Sequence, residues 1–178
     1  MRSFLNGMST VIRILARIQS LAAVVMLGII ITVVSLNILL RYVFDNPIAW
    51  TEELALFLFV WIVFLGASVA AARKRHVLVD LLINRLPFKI RHGLQALISV
   101  MIIAFLVYVI SGGFRVLEVT MGQYSVSLRI EKHLYYLPVV LASAYMILVY
   151  LLDLIVSVYS MATGKQIDAG ISGQRYVS

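Results

Sequence analysis

Residues 21–40 read LAAVVMLGIIITVVSLNILL, twenty positions without a charge. At 1.5 Å per residue such a helix is about 30 Å long, the thickness of a bilayer's hydrocarbon core. Three further uncharged stretches follow: Leu54 to Ala72, Leu94 to Phe114 and Leu134 to Leu152, the last running on past Asp153 to Ala162. These runs are continuous and do not alternate with period two, so they read as helices and not as barrel strands. The spacing predicts an all-α integral membrane protein with four transmembrane helices, over about 18–41, 47–72, 88–118 and 134–162. Residues 1–162 then form a single membrane domain, and 163–178 a mobile, Gly- and Ser-bearing cytoplasmic tail. The segment before the first span is too long for a signal peptide, and no small-x-small cleavage site follows Leu40.

Composition agrees. The chain has 178 residues, 62% of them hydrophobic and 13% charged, with mean hydropathy +1.02. Soluble domains carry about 25% charged residues, so a soluble globular enzyme is disfavoured, and disorder is excluded by the high hydrophobicity. No cysteine is present, which removes disulfides, zinc–thiolate sites and cysteine nucleophiles.

The net charge of +7 sorts by side. The N-terminal segment, the loop after the second span and the tail hold eleven Lys and Arg, against four in the other two loops. By the positive-inside rule both termini are cytoplasmic. Five acids (Asp45, Glu52, Glu53, Glu118 and Glu131) fall on the opposite side. The basic balance is therefore an orientation signal and calls for no nucleic acid. Tyr42, Phe44, Trp50, Tyr135 and Tyr136 cluster at the outer boundary, where amphipathic rings favour the interface.

Two segments are amphipathic. Arg2, Asn6, Ser9, Arg13, Arg17 and Ser20 recur at helical spacing, opposite Leu5, Met8, Ile12, Leu15 and Ile18 or Gln19. This stripe suits either an interfacial helix on membrane lipid or a helix running straight into the first span. Between spans two and three, Val77, Leu78, Leu81, Leu82 and Leu86 oppose Asp80, Asn84 and Arg85, and Pro87 ends the pattern. A cytoplasmic amphipathic helix is expected there, over about 76–86. Ser125 to Ile130 alternates polar and apolar residues and predicts an extended, outward-facing stretch.

Chemistry-bearing motifs are sparse. His76, His92 and His133 all fall in loops or at span ends, where they do not suit bis-histidine haem ligation. No HExxH, P-loop or GxSxG pattern occurs. No cofactor is expected and no enzymatic activity. Asp153 is the one acid within an apolar run. A carboxylate at a helix centre costs about 2.5–3.5 kcal/mol, and ten Leu, Ile and Val in Leu134 to Leu152 return about 3–6 kcal/mol. Asp153 is thus tolerable, whether as a polar contact to loop 2 or a partner subunit, as a snorkelled acid, or as a coupling-ion site. The span interiors show few of the broken helices and mid-membrane polar groups of a transport path.

The first outer loop, RYVFDNPIAWTEEL over 41–54, is the most informative. Asn46 can cap a helix and Pro47 suits its first position. Glu52 and Glu53 suit the positive end of that helix's dipole. An Arg41–Glu53 or Arg41–Glu52 pair across the hairpin is geometrically reasonable. With Arg41-Tyr42, Pro47, Trp50, Glu52-Glu53-Leu54, Phe64-Leu65-Gly66-Ala67, His76-Val77-x-Val79-Asp80 and Leu86-Pro87, the chain resembles the small membrane subunit (DctQ-like) of tripartite ATP-independent periplasmic (TRAP) transporters. Gly122-Gln123 and Leu137-Pro138-Val139 echo it more loosely. The resemblance covers most of residues 15–150.

The resemblance implies a non-catalytic permease subunit in a bacterial inner membrane. Its partners would be a large multi-span permease subunit and a periplasmic substrate-binding protein. Transport would be sodium-driven, of organic acids, with substrate and ion sites in the large subunit. Arg41, Trp50, Glu52, Glu53, Gly66, His76, Asp80 and Asp153 become candidate partner-interface or structural residues. The competing readings are a stand-alone four-helix transporter or channel, which would need polar groups along a path, and the membrane anchor of a redox complex.

Overall fold

The computed structural model describes residues 2–72 and 88–163. The expected surface helix over 76–86, with His76 and Asp80, and the tail from 164 onward lie outside the described residues. Among the described residues there are four helices: α1 (Arg2–Val43), α2 (Trp50–Ala72), α3 (Phe88–Thr120) and α4 (His133–Thr163). Each is long and apolar enough to cross a membrane. The chain is an all-α, four-span membrane protein. Among the described residues, strand pairing is limited to one antiparallel bridge between Tyr124 and Glu131.

Of the two placements open to the N-terminal stripe, α1 takes the second: it is unbroken from Arg2 to Val43. Met8, Ile12, Leu15 and Ala16 face the rest of the chain. They pack with Tyr145, Val149 and Leu152 of α4 and with Ala72 of α2. Ser9, on the polar side of the sequence pattern, is buried as well, while Arg13 and Arg17 stay exposed. Further along α1 the half-buried positions include Gln19, Ala23, Met26, Ile30, Val33, Asn37 and Leu40, flanked by Ser20, Ala22 and Val34. Their alternating steps of four and three are the heptad seam of helices crossing at about +20°.

The helices neighbour one another in the order α1, α2, α4, α3. α1 packs along α2, α2 along α4, and α4 along α3, while α1 touches α4 only lightly. Among the described residues no comparable contact joins α3 to α1, as a closed four-helix bundle would require. The result is an open row with α4 inside it. Accordingly α4 carries two buried stripes. Tyr145, Val149 and Leu152 face the α1–α2 side. Tyr150 packs with Leu106 of α3, in a cluster that Ala71 of α2 also reaches. On α3 the matching seam falls on His92, Ser99, Leu106 and Gly113, seven residues apart. Small residues at such seams let backbones approach closely. A Cβ on Gly113 would lie 2.7 Å from Val140 Cγ2.

The apolar spans of α3 and α4 are 29 residues each, about 44 Å at helical rise, against a hydrocarbon core of about 30 Å. Such helices cross at a steep tilt or stand proud of the core.

Loop 1 closes by side-chain and backbone bonds. The Phe44 and Asn46 N–H groups donate to the Leu40 carbonyl at 3.2 and 3.1 Å. Asp45 takes a left-handed φ of 49°, which a short polar side chain tolerates. Asn37 Oδ1 accepts the Ile48 N–H at 2.8 Å, and Thr51 Oγ1 donates to the Ile48 carbonyl at 2.8 Å. Residues 46–49 are thereby held as a bridge to α1. Helix α2 starts at Trp50, and neither Asn46 as a cap nor Pro47 as a first helical residue is used.

Candidate functional site

Loops 1 and 3 meet at one end of the row, and Glu53 joins them. It lies in the first turn of α2, where the aligned peptide dipoles favour an acid. Its carboxylate reaches across to loop 3. Glu53 Oε1 accepts the Val126 and Ser127 N–H groups, both at 3.1 Å. Oε2 accepts Ser127 N–H at 3.0 Å and Leu128 N–H at 2.8 Å. Three consecutive backbone donors thus converge on one acceptor-only group. Bonds to an ionised acceptor are about twice as strong as neutral ones. Successive N–H groups curled in this way form an anion-binding nest.

Loop 3 is shaped for this contact. Gly122 turns the chain out of α3 with a positive φ of 75°, and Arg129 turns it back with φ 53°. The Ser125 N–H donates to the Ile130 carbonyl at 2.9 Å, and Lys132 N–H to the Gln123 carbonyl at 2.8 Å. Ser125 Oγ accepts the Ile130 N–H at 3.3 Å. Tyr124 OH donates to Glu131 Oε1 at 3.2 Å, and His133 Nδ1 lies 2.8 Å from Glu131 Oε2. Residues 125–130 are therefore a tight turn and not the extended stretch that their alternation suggests. The alternation places side chains, but the backbone amides are gathered inward by the distant carboxylate. Beneath the clasp, Tyr135 of α4 sets its ring edge against Phe57 of α2, 5.0 Å apart at 73°.

The other candidate residues separate from this centre. No ion pair among the described residues joins Arg41 to Glu52 or Glu53, because Glu53 has turned to loop 3. Glu52 is exposed. With Leu56, Phe59, Val63, Gly66 and Ala70 it forms the exposed stripe of α2. A Cβ on Gly66 would meet open space, so that glycine relieves no contact within the chain. Trp50 sits at the loop end, with Tyr42 and Phe44 more exposed beside it. Asp153 lies far along α4, half-buried, with Oδ1 shut off from solvent.

Comparison with known proteins falls in line with this architecture. The family described as "Tripartite ATP-independent periplasmic transporters, DctQ component" matches residues 30–159. The chain belongs to this DctQ family. Its relatives include a putative TRAP transporter small permease protein of Haemophilus influenzae, 44% identical over 61 residues, which are 34% of this chain and 38% of that protein. The C4-dicarboxylate TRAP transporter small permease protein DctQ of Vibrio cholerae is 42% identical over 64 residues, 36% of this chain and 27% of that one. The sialic acid TRAP transporter permease protein SiaT of H. influenzae is 39% identical over 79 residues, 44% of this chain and 13% of SiaT. In each case the chain matches well under half of the relative's own length. The DctQ match begins at residue 30 and so takes in the lower half of the α1 seam, both loops of the clasp and nearly all of α4.

Several residues that shape this DctQ chain carry no motif. Gln19 Oε1 lies 2.8 Å from the buried Ser68 hydroxyl, tying α1 to α2. Tyr145 OH donates to the Ile12 carbonyl at 2.9 Å, tying α4 to α1. In sequence, Asn37 and Ser68 show only as polar exceptions within apolar runs. In the fold both face a neighbouring helix or loop.

Proposed function

We propose that the chain is the small permease subunit of a sodium-driven TRAP transporter for organic acids, and that it serves as a non-catalytic membrane scaffold for the large permease subunit. The observation that carries this is the open row. Its four helices direct the polar side chains Asn37, Gln19, Ser68 and Tyr145 into ties between elements, and leave broad apolar faces unpaired. SiaT supports the pairing with a large permease, since there a segment like this one is a small part of a far longer permease polypeptide. The exposed α2 stripe ending in Gly66 and Ala70 offers such a permease close helix approach.

In this proposal the protein sits in the bacterial inner membrane with both termini cytoplasmic. The Glu53 clasp then faces the periplasm, on the side from which a substrate-binding protein delivers. The segment over 76–86 anchors the cytoplasmic surface, and residues 1–162 act as one membrane domain.

The test is co-expression with a large TRAP permease subunit, followed by purification in detergent and reconstitution into liposomes with a substrate-binding protein. The two chains are expected to co-elute, and sodium-dependent uptake should need both. Gly66→Leu should weaken co-elution while leaving helical content unchanged. Uptake by this chain alone would overturn the proposal and favour a stand-alone transporter.

A further inference from the structure

We infer that loop 3 is a built carboxylate-binding site, with the Glu53 side chain as its resident ligand, and that it accepts a free small carboxylate when that side chain is removed. The inference rests on the loop geometry and is independent of what the transporter carries.

Three features of the loop carry it. First, the Val126, Ser127 and Leu128 N–H groups all point at one anion at 2.8–3.1 Å, with Ser127 shared between its two oxygens. This is bidentate recognition of a carboxylate by three main-chain donors, with the Ser125 side chain as a further hydrogen-bond partner. Second, the loop holds its curl through bonds of its own: Ser125 N–H to the Ile130 carbonyl, Lys132 N–H to the Gln123 carbonyl, and the Tyr124–Glu131 bridge. The cup is thus partly preformed, and a ligand fills it without folding it. Third, the carboxylate comes from 73 to 75 positions away in the chain. It enters the cup as a separate molecule would, tethered only through α2. The tether gives Glu53 a high effective concentration, which keeps free carboxylates out of the unaltered protein.

The site has a consequence for the whole row. Through it the α1–α2 hairpin holds the α3–α4 hairpin at the loop end, while Tyr145 to Ile12 ties α4 to α1 further along. It also fixes how the loop tip presents Val126, which is 91% exposed. The loop's own bonds keep its curl, and an anion among its three amides protects those amides from exchange.

The test uses the full chain in lipid nanodiscs and hydrogen exchange of the 126–128 amides. In Glu53→Ala those amides are expected to exchange at least about ten-fold faster, having lost bonds to a charged acceptor, while α3 and α4 amides stay as protected as before. Sodium formate, titrated to on the order of 0.1 M against chloride at equal ionic strength, should slow them again. Glu53→Gln places an amide NH2 against the donors while still filling the cup. It should show the faster exchange without recovery in formate. Unchanged exchange in Glu53→Ala overturns the inference. So does exchange that formate does not slow, or equal recovery of the Ala and Gln variants, which would mark a general salt effect.

Discussion

Neighbouring glycines in α3 should answer alanine with opposite signs. A Cβ on Gly113 would stand 2.7 Å from Val140 Cγ2, whereas one on Gly112 meets nothing within 4 Å. Carbon atoms pack at about 3.5–4.0 Å, so alanine at 113 overlaps its neighbour by about 1 Å. Val140 is buried on α4, and a β-branched side chain in a helix has one strongly preferred rotamer. Relief needs either a strained rotamer or separation of the α3–α4 seam, at about 1–3 kcal/mol. Against this, replacing glycine by alanine in a helix returns about 0.5–1 kcal/mol. Gly113→Ala should therefore destabilise by up to about 2.5 kcal/mol, while Gly112→Ala gains the propensity term of about 0.5–1 kcal/mol outright. The assay is unfolding of the purified full chain in mixed micelles by a denaturing detergent, followed by helical circular dichroism. Val140→Ala removes the clashing methyl groups, and in that background the gap between the two glycine variants should close. Equal stability of Gly112→Ala and Gly113→Ala would refute the seam, as would a gap that survives Val140→Ala.

Two further perturbations probe the ties. Asn37→Ala removes the acceptor of the Ile48 N–H; loss of about 1 kcal/mol is expected, with faster exchange of the Ile48 amide, and an unchanged Ile48 amide would show that loop 1 is held otherwise. Tyr145→Phe keeps the ring in its cluster and removes only the bond to the Ile12 carbonyl; about 0.6 kcal/mol, the mean for such bonds in membranes, should be lost, and no loss in the same unfolding assay would place the stability of the α1–α4 contact in its apolar packing alone.

The spans were legible because hydropathy is a property of each segment against lipid and needs no knowledge of neighbours. The neighbours themselves were not. His92, Ser99, Leu106 and Gly113 share a seven-residue spacing, yet their chemistry is mixed, and a seam of small and polar residues has no hydropathy signature. Likewise α1 shows a polar stripe over its first twenty residues, and nothing in that stripe says whether lipid or protein covers the other side. Tyr145 and Leu152, more than 130 positions away, decide it. Glu53 was legible as a placed acid, but Coulomb reasoning pointed to Arg41, the cation across the hairpin. The partner is three main-chain amides in loop 3. Peptide N–H groups are common to almost every residue, so a nest cannot be read from side-chain identity. Only Gly122 hints at it, and the left-handed turn at Arg129 gives no hint at all.

The row also explains why the polar residues in the spans are few and where they fall. In a transporter core, polar groups line a cavity enclosed by helices on every side. Among the described residues no comparable contact closes this row from α3 back to α1. A polar side chain in it lies in a seam or bonds back to its own helix, as Thr32 does to the Gly28 carbonyl at 2.8 Å and Ser111 to the Tyr108 carbonyl at 2.8 Å, since lipid offers no hydrogen bond. Asn37, Gln19, Ser68 and Tyr145 all lie in seams or at seam ends, each with an oxygen or nitrogen of a neighbouring element within 3 Å. Their bonding capacity is directed within the chain. In the proposed assembly the passage for substrate belongs to the large permease polypeptide. The apolar, small-residue stripe of α2 at Val63, Gly66 and Ala70 is where such a polypeptide could come close without stranding a polar atom of this one.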